Sequence, residues 1–254
     1  PMIHCITNPI SINQCANAIL AVGARPMMAE HPMEVAEITR TAGSLMLNLG
    51  NITDARMESI LISAETAKEA GIPFLLDAVG IACSTLRREY AKTLLNTATP
   101  TVIKGNYSEI LAMYRESYHS PGVDADSSLD MKTIDHAARS LARSLGTIIL
   151  ASGGVDIVTD GSRLFHIHNG TPQLSRITGT GCLQGALCAA YLSAQPGLEA
   201  VLTGCAVLGI CGELAQTDRG NGTFLCNLMD ALSTLTDAET EQHLKLEEIS
   251  IEEP

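Results

Sequence analysis

Short, unbroken apolar runs alternate with helix-length amphipathic stretches along most of this chain, and that alternation restricts its fold more than any other feature. Ile3–Ile6, Leu45–Leu49, Phe74–Leu76, Thr101–Ile103 and Thr147–Leu150 read as strands. They are continuous in character, as strands buried on both faces are. Between them the spacing predicts helices near Ile12–Ala21, Thr53–Glu69, Thr85–Asn96, Ser108–Tyr114 and Met131–Leu145. The expected fold is α/β, a mostly parallel central sheet with helices on both faces. Val155–Thr159 and Leu164–Ile167 flank Asp160-Gly161, a hairpin signal, so the sheet gains a late antiparallel hairpin. After it come helical stretches at Cys182–Ser193, Glu199–Thr217 and Gly222–Leu235. Leu198, Val201, Leu202, Cys205 and Leu208 repeat there at core-facing spacing. The polar stretch Ser117–Asp130, with Pro121-Gly122, reads as a surface loop and not a linker. One domain over residues 1–254 is expected, ending in an acidic tail, 237–254.

Composition narrows the function. Apolar residues make up 46% of the 254 and charged residues 17%, which suits a packed enzyme subunit. The net charge is −12, and the tail supplies half of it, with seven acids against Lys245 alone. That tail reads as a solvated helix face or a frayed end. An acidic chain without basic clusters argues against nucleic acid as a partner. The uncharged runs Ile177–Leu198 and Ala200–Gly212 read as buried helices, the first interrupted by Pro196 and the second too short to cross a bilayer. None of the eight cysteines forms a CxxC pair, which fits reduced thiols in the cytoplasm.

In open α/β sheets ligands bind beyond the carboxyl ends of the strands, and four segments stand there. Thr178-Gly179-Thr180-Gly181-Cys182 runs into an apolar helix, where converging backbone N–H groups and the helix dipole favour an anion. The same glycines also suit plain close packing. Cys182 is the nucleophile or base candidate, with a thiol pKa expected to fall at a helix N-terminus. Asp77 ends a strand before Ala78-Val79-Gly80 and suits Mg2+ or its waters, or equally a helix N-cap or an Asx-turn. Asn106 and Glu109 fit either a metal-side carboxylate or a capping box, and Lys104 before them could meet a phosphate. Ser152-Gly153-Gly154-Val155-Asp156 permits close approach of a nucleotide, with Ser152 able to bond a phosphate, or makes a simple tight turn. His166 and His168 share a strand face; two imidazoles without a third ligand read as a solvated edge. No GxxxxGK[ST], GxSxG or HExxH occurs.

In order and content these segments resemble the hydroxyethylthiazole kinases of thiamine salvage, ribokinase-like enzymes. The resemblance covers nearly the whole chain: His4-Cys5-Ile6-Thr7-Asn8, Pro26-Met27-Met28-Ala29, Leu47-Asn48-Leu49-Gly50, Asp77-Ala78-Val79-Gly80, Asn106-Tyr107-Ser108-Glu109, Val155-Asp156, Thr159-Asp160-Gly161 and Thr178 through Cys182. Most ribokinase-like relatives carry Asp where Cys182 stands, and Cys there is similar to the thiazole kinases. The resemblance implies that Asn8, Met28, Gly50 and Gly179 face the thiazole alcohol and that Lys104, Ser152 and Thr178 contact ATP. It implies that Asp77 and Glu109 serve Mg2+ through its waters, and that Cys182 acts with the Gly179, Thr180 and Gly181 amides. It also implies a homotrimer with the pocket at subunit contacts. Lys104, Ser152 and Ala78 stand where the family usually has Arg, Thr and Pro, and the family's leading helix is expected to be missing before His4. Lys in place of Arg removes bidentate phosphate geometry. Alternatives are another small-alcohol kinase, a nucleotide-dependent hydrate dehydratase, which would be expected to keep Asp at 182, and a non-catalytic thiazole or nucleotide regulator.

Overall fold

The computed structural model describes residues 1–115, 117–118 and 130–250. Among them nine strands form one sheet: β1 (Met2–Ile6), β2 (Arg25–Met27), β3 (Ser44–Asn48), β4 (Phe74–Asp77), β5 (Val102–Asn106), β6 (Ile148–Ser152), β7 (Asp156–Thr159), β8 (Leu164–Ile167) and β9 (Leu246–Glu248). Their order is β2-β1-β3-β4-β5-β6-β7-β8-β9. Strands β1 to β6 pair in parallel, and β7, β8 and β9 are antiparallel additions. The helices are α1 (Ile12–Ala21), α2 (Val35–Thr41), α3 (Asp54–Ala70), α4 (Thr85–Thr97), α5 (Tyr107–Tyr114), α6 (Met131–Leu145), α7 (Thr180–Leu192), α8 (Leu198–Leu214), α9 (Asn221–Thr234) and α10 (Asp237–His243).

Successive strand residues point to opposite faces, so each parallel strand feeds two cores. Ile3, Cys5, Met46 and Leu75 pack with Cys15 and Ile19 of α1, Ala186 and Ala189 of α7 and Val201 of α8. On the other face Leu45, Leu47 and Leu76 meet Ile60 and Ala64 of α3 and Leu94 of α4. Further along that face Ile103, Ile149 and Ile157 pack against α5 and α6. Local signals set the helix ends: Thr53 and Ser84 cap α3 and α4 with their side chains, and Gly71 and Gly146 close α3 and α6 in the left-handed conformation. The two long uncharged runs are α7 and α8, and no helix among the described residues is long and apolar enough to cross a membrane.

Two expectations need correction, and two elements carry no sequence signal of their own: β2 is three residues long and contains Pro26, and α2 spans only seven residues. The tail is neither wholly solvated helix nor frayed end: α10 is followed by β9, which pairs with β8. His166 is consequently not on a solvated edge; it is 6% exposed and its Nε2 lies 2.8 Å from Asp135 Oδ1 on α6. The loop expected over 117–130 falls largely outside the described residues.

Candidate active site

The order β2-β1-β3 makes the chain reverse direction along the sheet beside β1, and the carboxyl ends of β1, β3, β4 and β5 converge there on the start of α7. Asn8 follows β1. Its Oδ1 accepts from the amides of Ile10 and Ser11, both at 3.1 Å. This fixes its amide nitrogen inward, 3.2 Å from Cys182 Sγ and 3.3 Å from Asn48 Oδ1. Asn48, the last residue of β3, is held the same way: Oδ1 takes the Gly50 amide at 2.8 Å, and Nδ2 reaches Cys182 Sγ at 3.3 Å and Asp77 Oδ2 at 2.9 Å. A Cβ at Gly50 would come within 2.7 Å of Asn48 Oδ1 and 2.9 Å of Asn8 Nδ2, so this turn tolerates no side chain. Two amide donors thus aim at one sulfur.

Asp77 and Lys104 stand opposite each other on β4 and β5, and their charged atoms meet at 3.2 Å with side chains 0% and 4% exposed. Burial pushes Asp77 above the usual carboxylate range, against Lys104 and Asn48, which pull it down. For Lys104 burial works toward loss of the charge, but Asp77, then Cys182 and Glu109, hold the ammonium above its ordinary range. Glu109 realises the capping box: Oε2 takes the Asn106 amide at 2.7 Å while Asn106 Oδ1 takes the Glu109 amide at 2.9 Å. Its Oε1 accepts from Gly80 N at 2.7 Å. Burial first, and Asp77 after it, push Glu109 up to about 7. Asp77 and Glu109, both carboxylates, therefore share one buried ammonium, and the pocket is short of positive charge.

The expectation for the Cys182 thiol is overturned. Burial, then the Asp77 carboxylate, push it above its ordinary value, against Ser11, Lys104 and Asn8. The residue is 9% exposed, and desolvation of a thiolate outweighs the helix dipole here.

Gly179 precedes α7 with φ +87°, and a Cβ there would come within 2.8 Å of Ser11 Cβ, so both conformation and space require glycine. Gly179 at the N-cap has no side chain to cap α7, and none caps it among the described residues. Thr180 instead donates its hydroxyl to the Leu174 and Ile177 carbonyls, at 3.0 and 3.2 Å, pinning the approach loop. The α7 amides are left for an outside acceptor. Thr180 and Gly181 line a cleft of about 770 Å³ together with Asn106, Ser152, Asn169 and Gln184. Ser152 Oγ is 3.4 Å from the Gly105 carbonyl at its wall. Lys104 Nζ would be 3.6 Å from a Cβ on Gly181. The first turn of α7 is thus shared, with Thr180 and Gly181 on the cleft and Cys182 facing the asparagines. Thr178 is exposed beside it, and Met28, after β2, is half-buried against the α1–α7 core. A smaller cleft of about 500 Å³ lies elsewhere, lined by Lys68, Pro73 and Thr97, and holds none of these groups.

Sequence reasoning missed Asn169, Gln184 and Gly209 on the cleft wall. Gln184 donates to Asp156, whose burial pushes it up to about 6. Gly209 lets the Asn169 backbone approach α8, since a Cβ would meet its carbonyl oxygen at 2.7 Å. The signal was glycine inside an apolar helix, which marks close approach.

The family model described as the hydroxyethylthiazole kinase family matches residues 1–238. Hydroxyethylthiazole kinase 2 of Clostridium botulinum is 46% identical over 242 residues, covering 93% of this chain and 91% of that one. Hydroxyethylthiazole kinase 1 of Methanosphaera stadtmanae is 39% identical, over 92% and 88% of the two chains. Among solved structures, the hydroxyethylthiazole kinase protein of Pyrococcus horikoshii superposes with a TM-score of 0.90 at 31% identity, over 98% and 94%. Pyridoxal kinase from Staphylococcus aureus in complex with ADP gives 0.68 at 17% identity, over 98% of each, a likeness of fold alone.

Proposed function

The chain belongs to the hydroxyethylthiazole kinase family, and from that membership we propose that it transfers the γ-phosphoryl group of ATP to the primary hydroxyl of hydroxyethylthiazole, in thiamine salvage. The observation that carries this reading is the shared first turn of α7. Its amides, unpaired among the described residues, stand between a nucleotide-sized cleft on one side and the buried Asn8–Asn48–Cys182 cluster on the other. A donor and an acceptor bound on these two sides meet at the helix N-terminus.

Phosphoryl transfer through a loose transition state asks the protein for position and for charge stabilisation. The amides of Gly179, Thr180, Gly181 and Cys182 would receive the transferring group, and Lys104 supplies a fixed positive charge beside Gly181. Thr178 and Ser152 would bond the nucleotide, while Asn8, Met28, Gly50 and Gly179 would form the thiazole side. Cys182 orients the hydroxyl; in its thiolate form the sulfur takes the alcohol proton late, when bond formation has already acidified the alcohol, and burial, which raises the thiol pKa, makes that form scarcer but more basic. Hard carboxylate oxygens in a pocket short of positive charge fit Mg2+, and Asp77 and Glu109 would hold it through its waters, since hydrogen-bond donors already occupy their oxygens. Bound there, the ion would supply charge neutralisation for the polyphosphate.

A homotrimer with pockets at subunit contacts is supported by Ile10, Met27 and Met33, 65%, 37% and 90% exposed, beside Asn8 and Met28. A cytoplasmic setting is supported by eight free thiols. We read the chain as one catalytic domain without nucleic-acid or membrane partners. ADP release that depends on added hydroxyethylthiazole is the test, and release independent of it would reject the assignment. Cys182→Ala should lower kcat by roughly 10- to 100-fold without abolishing turnover, and Cys182→Asp should stay active. A folded but dead Asp variant would remove the proton-acceptor role.

A further inference from the structure

His166 stands on β8 and His168 directly follows its last residue, on the same face by the two-residue repeat of extended chain. The register of β9 sets Glu247 directly opposite His166, and the His168 amide bonds the Lys245 carbonyl, so Glu247 lies on that same face. One nitrogen from each imidazole and one Glu247 oxygen lie within 4.8 Å of one another. His168 Nε2 is 3.1 Å from Glu247 Oε2, and the two rings meet edge to face with centroids 6.2 Å apart. From α6, Asp135 Oδ1 sits 2.8 Å from His166 Nε2 and holds that buried ring in place. This cluster belongs to the hairpin edge and shares no residue with the phosphoryl-transfer site.

We propose that His166, His168 and Glu247 form a binding site for a divalent transition cation of the zinc type, with Asp135 as the carboxylate that orients His166. Two imidazoles and a carboxylate are donors that zinc accepts, and a metal-bound histidine usually keeps a carboxylate on its ring. Bonds of about 2.0–2.1 Å place ligand atoms no more than about 4 Å apart. The remaining closure is small and falls to His168 and Glu247, whose side chains are 42% and 60% exposed and free to turn. His166, 7% exposed, is the rigid member. The third ligand comes from the acidic tail, so the ion would join β9 to the hairpin and fasten it there.

The test is calorimetric titration of the full chain with Zn2+ alone, without nucleotide or Mg2+, in a Cys83→Ser/Cys226→Ser background that removes the two exposed thiols. The expected result is one Zn2+ bound per chain at this site, weakened at least about tenfold by His168→Ala and by Glu247→Gln, and about tenfold by Asp135→Asn. Both ligand residues are exposed, so these variants should keep the melting temperature of the metal-free parent, and Zn2+ should raise that temperature only in the parent. Co2+ in place of Zn2+ should give visible d–d bands that His168→Ala removes. Zn2+ affinity and stoichiometry unchanged in both His168→Ala and Glu247→Gln would overturn the proposal, as would a parent that binds no Zn2+.

Discussion

Lys104 and Asp77 meet at 3.2 Å on the central strands with side chains 4% and 0% exposed; Arg163 and Glu199 meet at the same 3.2 Å near the hairpin, 47% and 58% exposed. Distance does not distinguish the pairs, but surroundings do. Around the first, solvent is gone, and each charge depends on the other, with Asp77 also taking the Asn48 amide. Around the second, water and salt answer each charge whether or not its partner is present. The ligand-facing ends of β4 and β5 therefore concentrate electrostatic energy that the exposed pair beside the hairpin dissipates.

The widest gap should open at Lys104. Lys104→Ala leaves the Asp77 carboxylate buried and uncompensated, and urea denaturation should show a loss of about 3–5 kcal/mol. Adding Asp77→Asn should restore much of it, and a single-variant loss below about 1 kcal/mol would erase the contrast. Asp156 comes next. Its burial raises it to about 6 from an unfolded value near 3.8. Its stabilising contribution is thus fully present below about pH 3.8 and is lost as pH rises through about 6. Asp156→Asn keeps an acceptor for the Gly153 amide, and Gln184 can turn its amide to match. The stability of the wild type relative to this variant should fall by on the order of 2 kcal/mol between pH 4 and pH 7, read by denaturation at both pH values. A flat difference would mean that Asp156 is not carrying the buried charge. Least of all should happen at Arg163: Arg163→Ala should shift the melting temperature by no more than about 1–2 °C.

The same division explains what could be read in advance. Asp77 at a strand end, the Gly179–Cys182 helix start and the Asn106–Glu109 box are local patterns, and the structure brings them together. What those residues bond was not local. Lys104 faces Asp77 because β4 and β5 pair in a particular register. Gln184 reaches Asp156 across 28 positions. The Cys182 thiol moved opposite to expectation because the dipole of α7 is visible in sequence and the depth of burial is not. β2 and β9, three residues each, were invisible for another reason: Pro26 in one and Glu247-Glu248 in the other carry no strand signature, and a neighbouring strand imposes the conformation.

Those two short strands also bound the sheet, and an unpaired margin of backbone is an invitation to a second chain. On one flank Pro26 offers no N–H for such pairing. On the other, β9 covers β8, with its buried Phe165 and Ile167, and turns outward a ribbon bearing Glu247 and Glu248, all three of its residues exposed. β9 thus covers a strand edge and adds two like charges to that rim; cutting the chain before Leu246 should bare β8 to sideways stacking.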